Sequence, residues 1–526
     1  MRSVQTDKGR FALAVLSGLL LTGAFPNLDL PWLAWIALIP LLFAVRGLGL
    51  KKGFAVGFSA GMAHYLSLIY WIAYTMRTYG YLPWPVCVSI LILLTAYLAL
   101  YYGIFAMLVT RLNPNPFIQW PAVPAIWVAL EFIRGFLFSG FPWEFLGYSQ
   151  YTTLHLIQIS DILGVYGISF LIVLVNTALF VLGAELKRYV DRARAKTAFI
   201  PAVVVVLLSA AAVAGTWSYG DRRLETVDQW TESAPTLQTA VVQGNIEQSV
   251  KWDPAFQAQT VDKYLRLSRA VSRERRPDLI VWPETALPFY FLYDQKLSKR
   301  VIQGIRSIGT YFLVGSPSFT QRSDRIDYYN SAYLISPEGA PLGKYDKSHL
   351  VPFGEYVPLK RWLPFLGKIV AQVGDFSRGR IGSTLDWPHG KLGVLICYEV
   401  IFPYISKAMV ENGAALLINI TNDAWYGHSS APYQHYSMAV FRSVENRRAL
   451  IRAANTGISG FIDPAGRVLT ATALFEDATA VQSVPLLKIR TTYNRIGDVF
   501  AMGCLAAAFL LIVGSEIGRK LTRKQH

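Results

Sequence analysis

An apolar, β-branched run ends in a thiol at Lys391-Leu-Gly-Val-Leu-Ile-Cys397-Tyr-Glu-Val400, with a carboxylate two positions further on at Glu399. A free cysteine has a pKa of about 8.5, so it is mostly thiol at neutral pH and needs a base or a nearby cation to act as a nucleophile. Two other junctions offer such groups. Leu279-Ile-Val-Trp-Pro-Glu284 ends an apolar run in a carboxylate, and Lys344-Tyr-Asp-Lys-Ser-His-Leu-Val-Pro-Phe-Gly-Glu355 carries Lys347 and Glu355. Each is ambiguous alone. The cysteine could be a small buried hydrophobe, the lysine-bearing stretch an exposed loop, and Glu284 a solvated carboxylate. Taken together, Glu284, Lys347 and Cys397 are expected to converge, each at the C-terminal end of a strand or in the turn beside one.

The elements that must position them fall into two kinds. The chain has 526 residues, 53% hydrophobic and only 16% charged, where about 25% charged is usual for soluble domains. This composition predicts a membrane protein with one soluble domain. The net charge of +16 sits mostly in short loops between apolar runs, a pattern of membrane orientation rather than a nucleic-acid-binding stripe. Of three cysteines, Cys87 and Cys504 lie in apolar segments. Cys397 therefore stands alone in the soluble part, and a disulfide framework is excluded there.

Apolar runs at about 11–25, 31–45, 54–74, 84–110, 117–136, 162–184, 198–217 and 496–518 are each near the ~20 residues needed to cross a bilayer. They predict eight spans: seven in a membrane domain over 1–217, and one within 495–526, which also carries a basic tail. The first run is expected to be an uncleaved anchor rather than a signal peptide. With the N-terminus in the cytoplasm, Arg46, Lys51, Lys52, Arg111, Lys187, Arg188, Arg192, Arg194 and Lys196 all fall inside, with Arg519, Lys520, Arg523 and Lys524 of the tail. The hydrophilic segment 218–494 is then outside the cytoplasm, in the periplasm of a double-membraned bacterium. Glu131 and Arg134, three apart in the fifth run, are expected to pair. The aromatic stretch Ser139-Gly-Phe-Pro-Trp-Glu-Phe-Leu-Gly147 reads either as an interfacial anchor or as the lining of a substrate entrance.

Segment 218–494 alternates strand and helix signals. Strands are predicted at 239–242, 279–282, 311–314, 331–335, 392–396, 415–420, 449–453 and 460–462. Helices are predicted at 255–274, 295–308, 403–412 and 433–447. Such alternation implies an α/β domain with helices covering sheet faces. There is no Gly-x-Ser-x-Gly, no phosphate-cradling Gly-x-x-x-x-Gly-Lys, no dinucleotide fingerprint and no His-Glu-x-x-His. His428 and His435 have no cysteine partner, so neither a metal nor a cofactor is expected.

The order Trp282-Pro-Glu284, then Lys347 ahead of His349-Leu-Val-Pro-Phe-Gly-Glu355, then Cys397-Tyr398-Glu399 resembles the Glu/Lys/Cys signature of the nitrilase superfamily. Gln243-Gly-Asn-Ile-Glu-Gln248, Lys251-Trp252, Thr421-Asn-Asp-Ala-Trp-Tyr-Gly427 and the membrane spans extend the likeness over essentially the whole chain. They resemble the apolipoprotein N-acyltransferase family.

That resemblance implies a four-layer αββα sandwich attached to a polytopic helical domain. It implies Glu284 as general base, Lys347 as oxyanion stabiliser and Cys397 as the nucleophile that carries an acyl thioester. The backbone N–H of Tyr398 is a second oxyanion donor in this scheme, Glu355 and Glu399 are positioning groups, and Trp252 shapes the acceptor site. The implied partners are a phospholipid acyl donor, expected to be phosphatidylethanolamine, and a diacylated apolipoprotein whose N-terminal amine is acylated at the inner membrane. A membrane-tethered carbon-nitrogen hydrolase (amidase or nitrilase) is the alternative. Moving an acyl chain into water costs about 0.8 kcal/mol per CH₂, so an apolar path from the bilayer is required. Leu287-Pro-Phe-Tyr-Phe-Leu292 and Trp362-Leu-Pro-Phe-Leu366 are the expected mobile arms along it, with ordinary core packing the alternative.

Overall fold

The structure, a computed structural model, describes residues 6–190, 199–356 and 375–524, with side chains up to 514. The chain separates into two compact units. One comprises Met1–Arg223 with Ile496–His526, and the other Leu224–Arg495.

The first unit is helical. Trp84–Val109, Pro116–Arg134, Val165–Val190 and Ile200–Ser233 are long and apolar enough to cross a membrane, and Leu50–Leu68 with Trp71–Thr78, bent by 50°, counts as a fifth such element. Among the described residues, four or five elements therefore meet the criterion of length and composition, where eight crossings were expected. Run 31–45 is not one helix. Pro31 opens a 3₁₀ turn, Pro31–Trp35, and Ile39–Val45 is a seven-residue helix with Pro40 in its first turn, which rises only about 10 Å. Asp7–Gly23 has 17 residues, about 25 Å and short of the ~30 Å core. The final apolar stretch covers Val499–Gly514.

Small residues set the helix spacing in this unit. A Cβ on Gly57 would lie 2.3 Å from Ala106 Cβ, and one on Gly61 2.8 Å from Ala99 Cα. These glycines, four apart, let Leu50–Leu68 approach Trp84–Val109 closely, the usual means of helix association in lipid. The charged groups of the fifth run interact electrostatically, as expected, and both also hold the loop that follows. Arg134 Nη1 donates to the carbonyls of Phe141 (3.3 Å) and Trp143 (3.0 Å), and Glu131 Oε1 accepts from the N–H of Leu146 at 2.8 Å. The aromatic stretch is consequently folded against the helical unit, with Trp143, Phe145 and Leu146 buried.

The second unit contains twelve strands among the described residues: β1 (Thr236–Gln243), β2 (Leu279–Val281), β3 (Tyr311–Gln321), β4 (Ile326–Ile335), β5 (Pro341–Asp346), β6 (Thr384–Trp387), β7 (Gly390–Ile396), β8 (Ala414–Thr421), β9 (Leu450–Ala454), β10 (Gly460–Ile462), β11 (Val468–Ala471) and β12 (Ala478–Pro485). They form two six-stranded mixed sheets, ordered β12-β1-β2-β3-β4-β5 and β11-β10-β9-β8-β7-β6. Both have the same plan: one antiparallel edge strand, three parallel strands, then two antiparallel ones. The parallel strands are continuous apolar runs because both their faces are covered; every residue of β2, β8 and β9 is buried.

Contacts of β1 with β9, β4 with β7 and β5 with β6 join the sheets. Helices Pro254–Arg275 and Gln295–Ile308 close one outer face, burying Val261, Tyr264, Leu265, Val301 and Ile305 with Ile280, Trp282 and Phe312. Asp253 and Asp294 cap these helices by accepting from the N–H groups of Ala255 and Leu297. Pro403–Glu411 against β7 and β8, and Ala431–Asn446 against β9, close the other face.

Candidate active site

Three strand ends deliver the expected residues. Glu284 follows β2, Lys347 follows β5, and Cys397 follows β7. The first two meet with Glu355 in a buried cluster. Lys347 Nζ donates to Glu355 Oε1 at 3.0 Å and lies 3.7 Å from Glu284 Oε1. Asn330, on β4, bridges the two carboxylates: its Nδ2 donates to Glu284 Oε1 (2.7 Å) and to Glu355 Oε1 (3.0 Å). The second oxygen of Glu284 accepts from the N–H of Asn422 (2.9 Å), and that of Glu355 from the N–H of Val351 (2.9 Å). Burial alone would strip the Lys347 charge, but Glu355 and then Glu284 hold its ammonium above the usual lysine range.

Cys397 is buried at the first position of a short 3₁₀ turn, Cys397–Ile401, with φ of +54°. A non-glycine residue there costs of order 1–3 kcal/mol and persists only where its surroundings over-determine it. Burial, and next the Glu284 carboxylate, push its thiol well above the ordinary range, outweighing the opposing pull of Lys347. The lysine therefore acts in the expected direction without producing a resting thiolate.

Glu399 ties the nucleophile turn to the lysine turn. Its Oε1 accepts from the Ser348 N–H (2.7 Å) and hydroxyl (2.6 Å), the His349 N–H (3.1 Å) and the Tyr345 hydroxyl (2.9 Å). Its Oε2 accepts from the Ile396 N–H (2.7 Å) and Tyr345 (3.0 Å). Tyr398 is buried, with its ring beside Phe402 and His349. Trp252 is half exposed. Its neighbour Lys251 is buried and donates to the backbone carbonyl of Glu284 at 3.1 Å; burial brings its ammonium down to about 8.

Asn330 was not among the expected residues. Its only signal was a polar amide within the otherwise strand-like stretch Tyr328-Tyr-Asn-Ser-Ala332, which reads as easily as an edge position. Of the two expected arms, Leu287, Phe289 and Phe291 are buried in the core, and Tyr290 and Leu292 are exposed in a segment of bends and turns. That stretch is a core segment, not a free arm. Trp362-Leu-Pro-Phe-Leu366 lies outside the described residues. Among the described residues no group of three or more His, Cys, Asp or Glu could hold a metal ion.

The second unit thus combines a mixed double sheet, a buried Glu–Lys–Glu cluster and a buried cysteine at a strand end. Residues 238–494 match the family described as carbon-nitrogen hydrolase, and residues 17–178 match the one described as apolipoprotein N-acyltransferase N-terminal domain. The chain is 47% identical to an apolipoprotein N-acyltransferase from Geobacter metallireducens, over 95% of this chain and 94% of that one. It is 33% identical to one from Methylococcus capsulatus, over 97% and 96%. Among solved structures, the amidase from Nesterenkonia sp. AN1 is similar over 51% of this chain and 95% of its own, at 20% identity and a TM-score of 0.38. The chain belongs to the apolipoprotein N-acyltransferase family of enzymes, within the nitrilase superfamily.

Proposed function

We propose that this enzyme moves a fatty acyl chain from a phospholipid to the N-terminal amine of a diacylglyceryl-cysteine apolipoprotein, through a thioester on Cys397. The observation that carries this reading is the buried Glu284–Lys347–Glu355 cluster acting electrostatically on Cys397, in a chain that also holds helices of membrane-crossing length. Glu284 is the general base. Transfer of the thiol proton to Glu284 removes the carboxylate charge that opposes the thiolate as the sulfur attacks the ester carbonyl. Lys347, kept charged by Glu355, stabilises the tetrahedral oxyanion, with the Tyr398 N–H as second donor.

Collapse of that intermediate expels the lysophospholipid alcohol, which takes its proton from Glu284. The apolipoprotein amine, unprotonated in a useful fraction near its usual pKa of about 8, then attacks the thioester and gives up a proton as the amide forms and the thiol returns. Glu355 and Glu399 position Lys347 and the nucleophile turn, and Trp252, exposed beside the site segment, shapes the acceptor side. Phosphatidylethanolamine is the proposed donor.

The proposed setting is the bacterial inner membrane, with residues 1–217 and 495–526 as membrane segments and 218–494 on the periplasmic side. Eight crossings would put both termini in the cytoplasm. They would require Asp7–Gly23, the broken 31–45 segment and Val499–Gly514 to cross as well.

The test is incubation of the full-length protein with acyl-labelled phosphatidylethanolamine. Label should be retained on Cys397, be released by hydroxylamine, and pass to a diacylated lipopeptide amine on addition. A protein that takes no label from phospholipid but hydrolyses small amides would instead be a tethered amidase.

A further inference from the structure

The proposed chemistry uses the side chain of Cys397, yet a second buried cluster ends on the backbone carbonyl of that same residue. His435 Nε2 lies 3.2 Å from Cys397 O, and Asn419 Nδ2 donates to it at 3.4 Å. Behind the imidazole, His435 Nδ1 is 2.9 Å from Arg452 Nη2 and 3.1 Å from Asp423 Oδ1. Arg452 Nη2 also donates to Asp423 Oδ2 at 2.8 Å, its Nη1 donates to Asn419 Oδ1, and Thr421 donates to Asp423 Oδ1 at 2.9 Å. The side chains of His435, Asp423 and Arg452 are all fully buried.

A carbonyl oxygen can only accept, so Nε2 carries the hydrogen directed at Cys397 O. At Nδ1 the Arg452 guanidinium and the Asp423 carboxylate both approach and fix the plane of the ring. Burial, and then the Arg452 charge, keep the ring below the ordinary histidine range and hence neutral.

The Cys397 C=O and the Tyr398 N–H belong to one planar trans peptide and point in opposite directions. Two donors on the oxygen therefore fix where that N–H points and polarise it. The constraint matters because Cys397 sits at positive φ, a conformation that relaxes unless it is held. An apolar filler would avoid the desolvation of a buried Asp–His–Arg set, so a structural role alone accounts poorly for these residue types at this carbonyl.

We propose that His435, oriented by Arg452 and Asp423, is a positioning residue that locks the Cys397–Tyr398 peptide so that the Tyr398 N–H faces the tetrahedral oxyanion. The role rests on the acyl-transfer reading above. It predicts an effect on steps that build an oxyanion and little effect on thiol reactions that build none.

The experiment compares two reactions of the full-length protein: acyl-enzyme formation from labelled phospholipid in a single turnover, and alkylation of Cys397 by iodoacetamide. His435→Leu should slow acylation about 100-fold while alkylation stays within about threefold of the unchanged protein. His435→Gln, whose amide can still donate to the carbonyl, should recover acylation to within about tenfold. If the leucine variant does not fold, His435→Asn, too short to reach, takes its place with the same expectations. Unchanged acylation, an equal fall in both reactions, or a glutamine variant no better than leucine would each overturn the positioning role. An unchanged protein that is alkylated but never acylated would sink the acyl-transfer reading first, and this role with it.

Discussion

On the Cys397 thiol, burial, then Glu284 and Asp423, oppose the thiolate, while Lys347 and a hydrogen bond from Thr421 favour it. The net result is a resting thiol; in the proposed mechanism its proton leaves as Glu284 accepts it, which couples deprotonation to attack. Asn330 matters here because one amide nitrogen serves both Glu284 and Glu355. Asn330→Ala should cost about 1–3 kcal/mol of stability and slow acylation by more than that alone explains, roughly 10–100-fold; urea melts and single-turnover rates measured side by side check it. His349 makes a pH prediction. Burial, then Arg378 and Lys347, hold it at about 4, whereas an unfolded imidazole titrates at about 6.5. The unfolded chain therefore binds this proton first as pH falls. Stability present above about 6.5 should be lost between about 6.5 and 4 and level off below. His349→Gln should flatten that interval in melts taken across pH, and acylation should show no inflection near 6.5 from this residue.

At the scale of elements, Glu399 makes the end of β7 and the Ser348–His349 turn a single body. Its oxygens accept from Ile396 on one side and from Tyr345, Ser348 and His349 on the other. Glu399→Gln replaces one acceptor oxygen by a donor among groups that already donate. It should destabilise the protein by roughly 2–4 kcal/mol and abolish acylation even where folded protein is recovered, as circular dichroism and the label assay would show together. The elements read most easily were the buried parallel strands β1, β2, β7, β8 and β9 and the two capped helices, because their apolar runs and caps are local signals. Strands β5, β6, β11 and β12 escaped. Each is an edge strand or lies next to one, and β11 is largely exposed, so none carries a long apolar run.

At the scale of the whole molecule, the proposed orientation depends on an odd number of crossings before residue 218. The basic residues gathered at Arg46, Lys51, Lys52, Lys187 and Arg188 bias those loops inward. The turn at 322–325, between β3 and β4, is exposed, and the native cysteines are all buried. Asp324→Cys should therefore react with a membrane-impermeant maleimide added to intact spheroplasts; labelling only after lysis would invert the orientation. The sequence shows no internal repeat, yet the two sheets share one strand plan. Backbone pairing and layer packing can repeat without residue identity, because they ask only for apolar alternation and length.

By itself the sequence determined the family and the candidate residues: an ordered Glu284, Lys347 and Cys397, each at or beside a strand end, in a chain with too few charges to be wholly soluble. Those features are local in composition or order, and they survive without coordinates. Only the tertiary structure decided the rest. It brought Asn330 between two carboxylates, turned Glu131 and Arg134 onto a loop backbone, broke the 31–45 run at its prolines, and placed His435 on the Cys397 carbonyl. Each depends on groups far apart in sequence meeting at hydrogen-bond distance, and no periodicity or motif encodes that meeting.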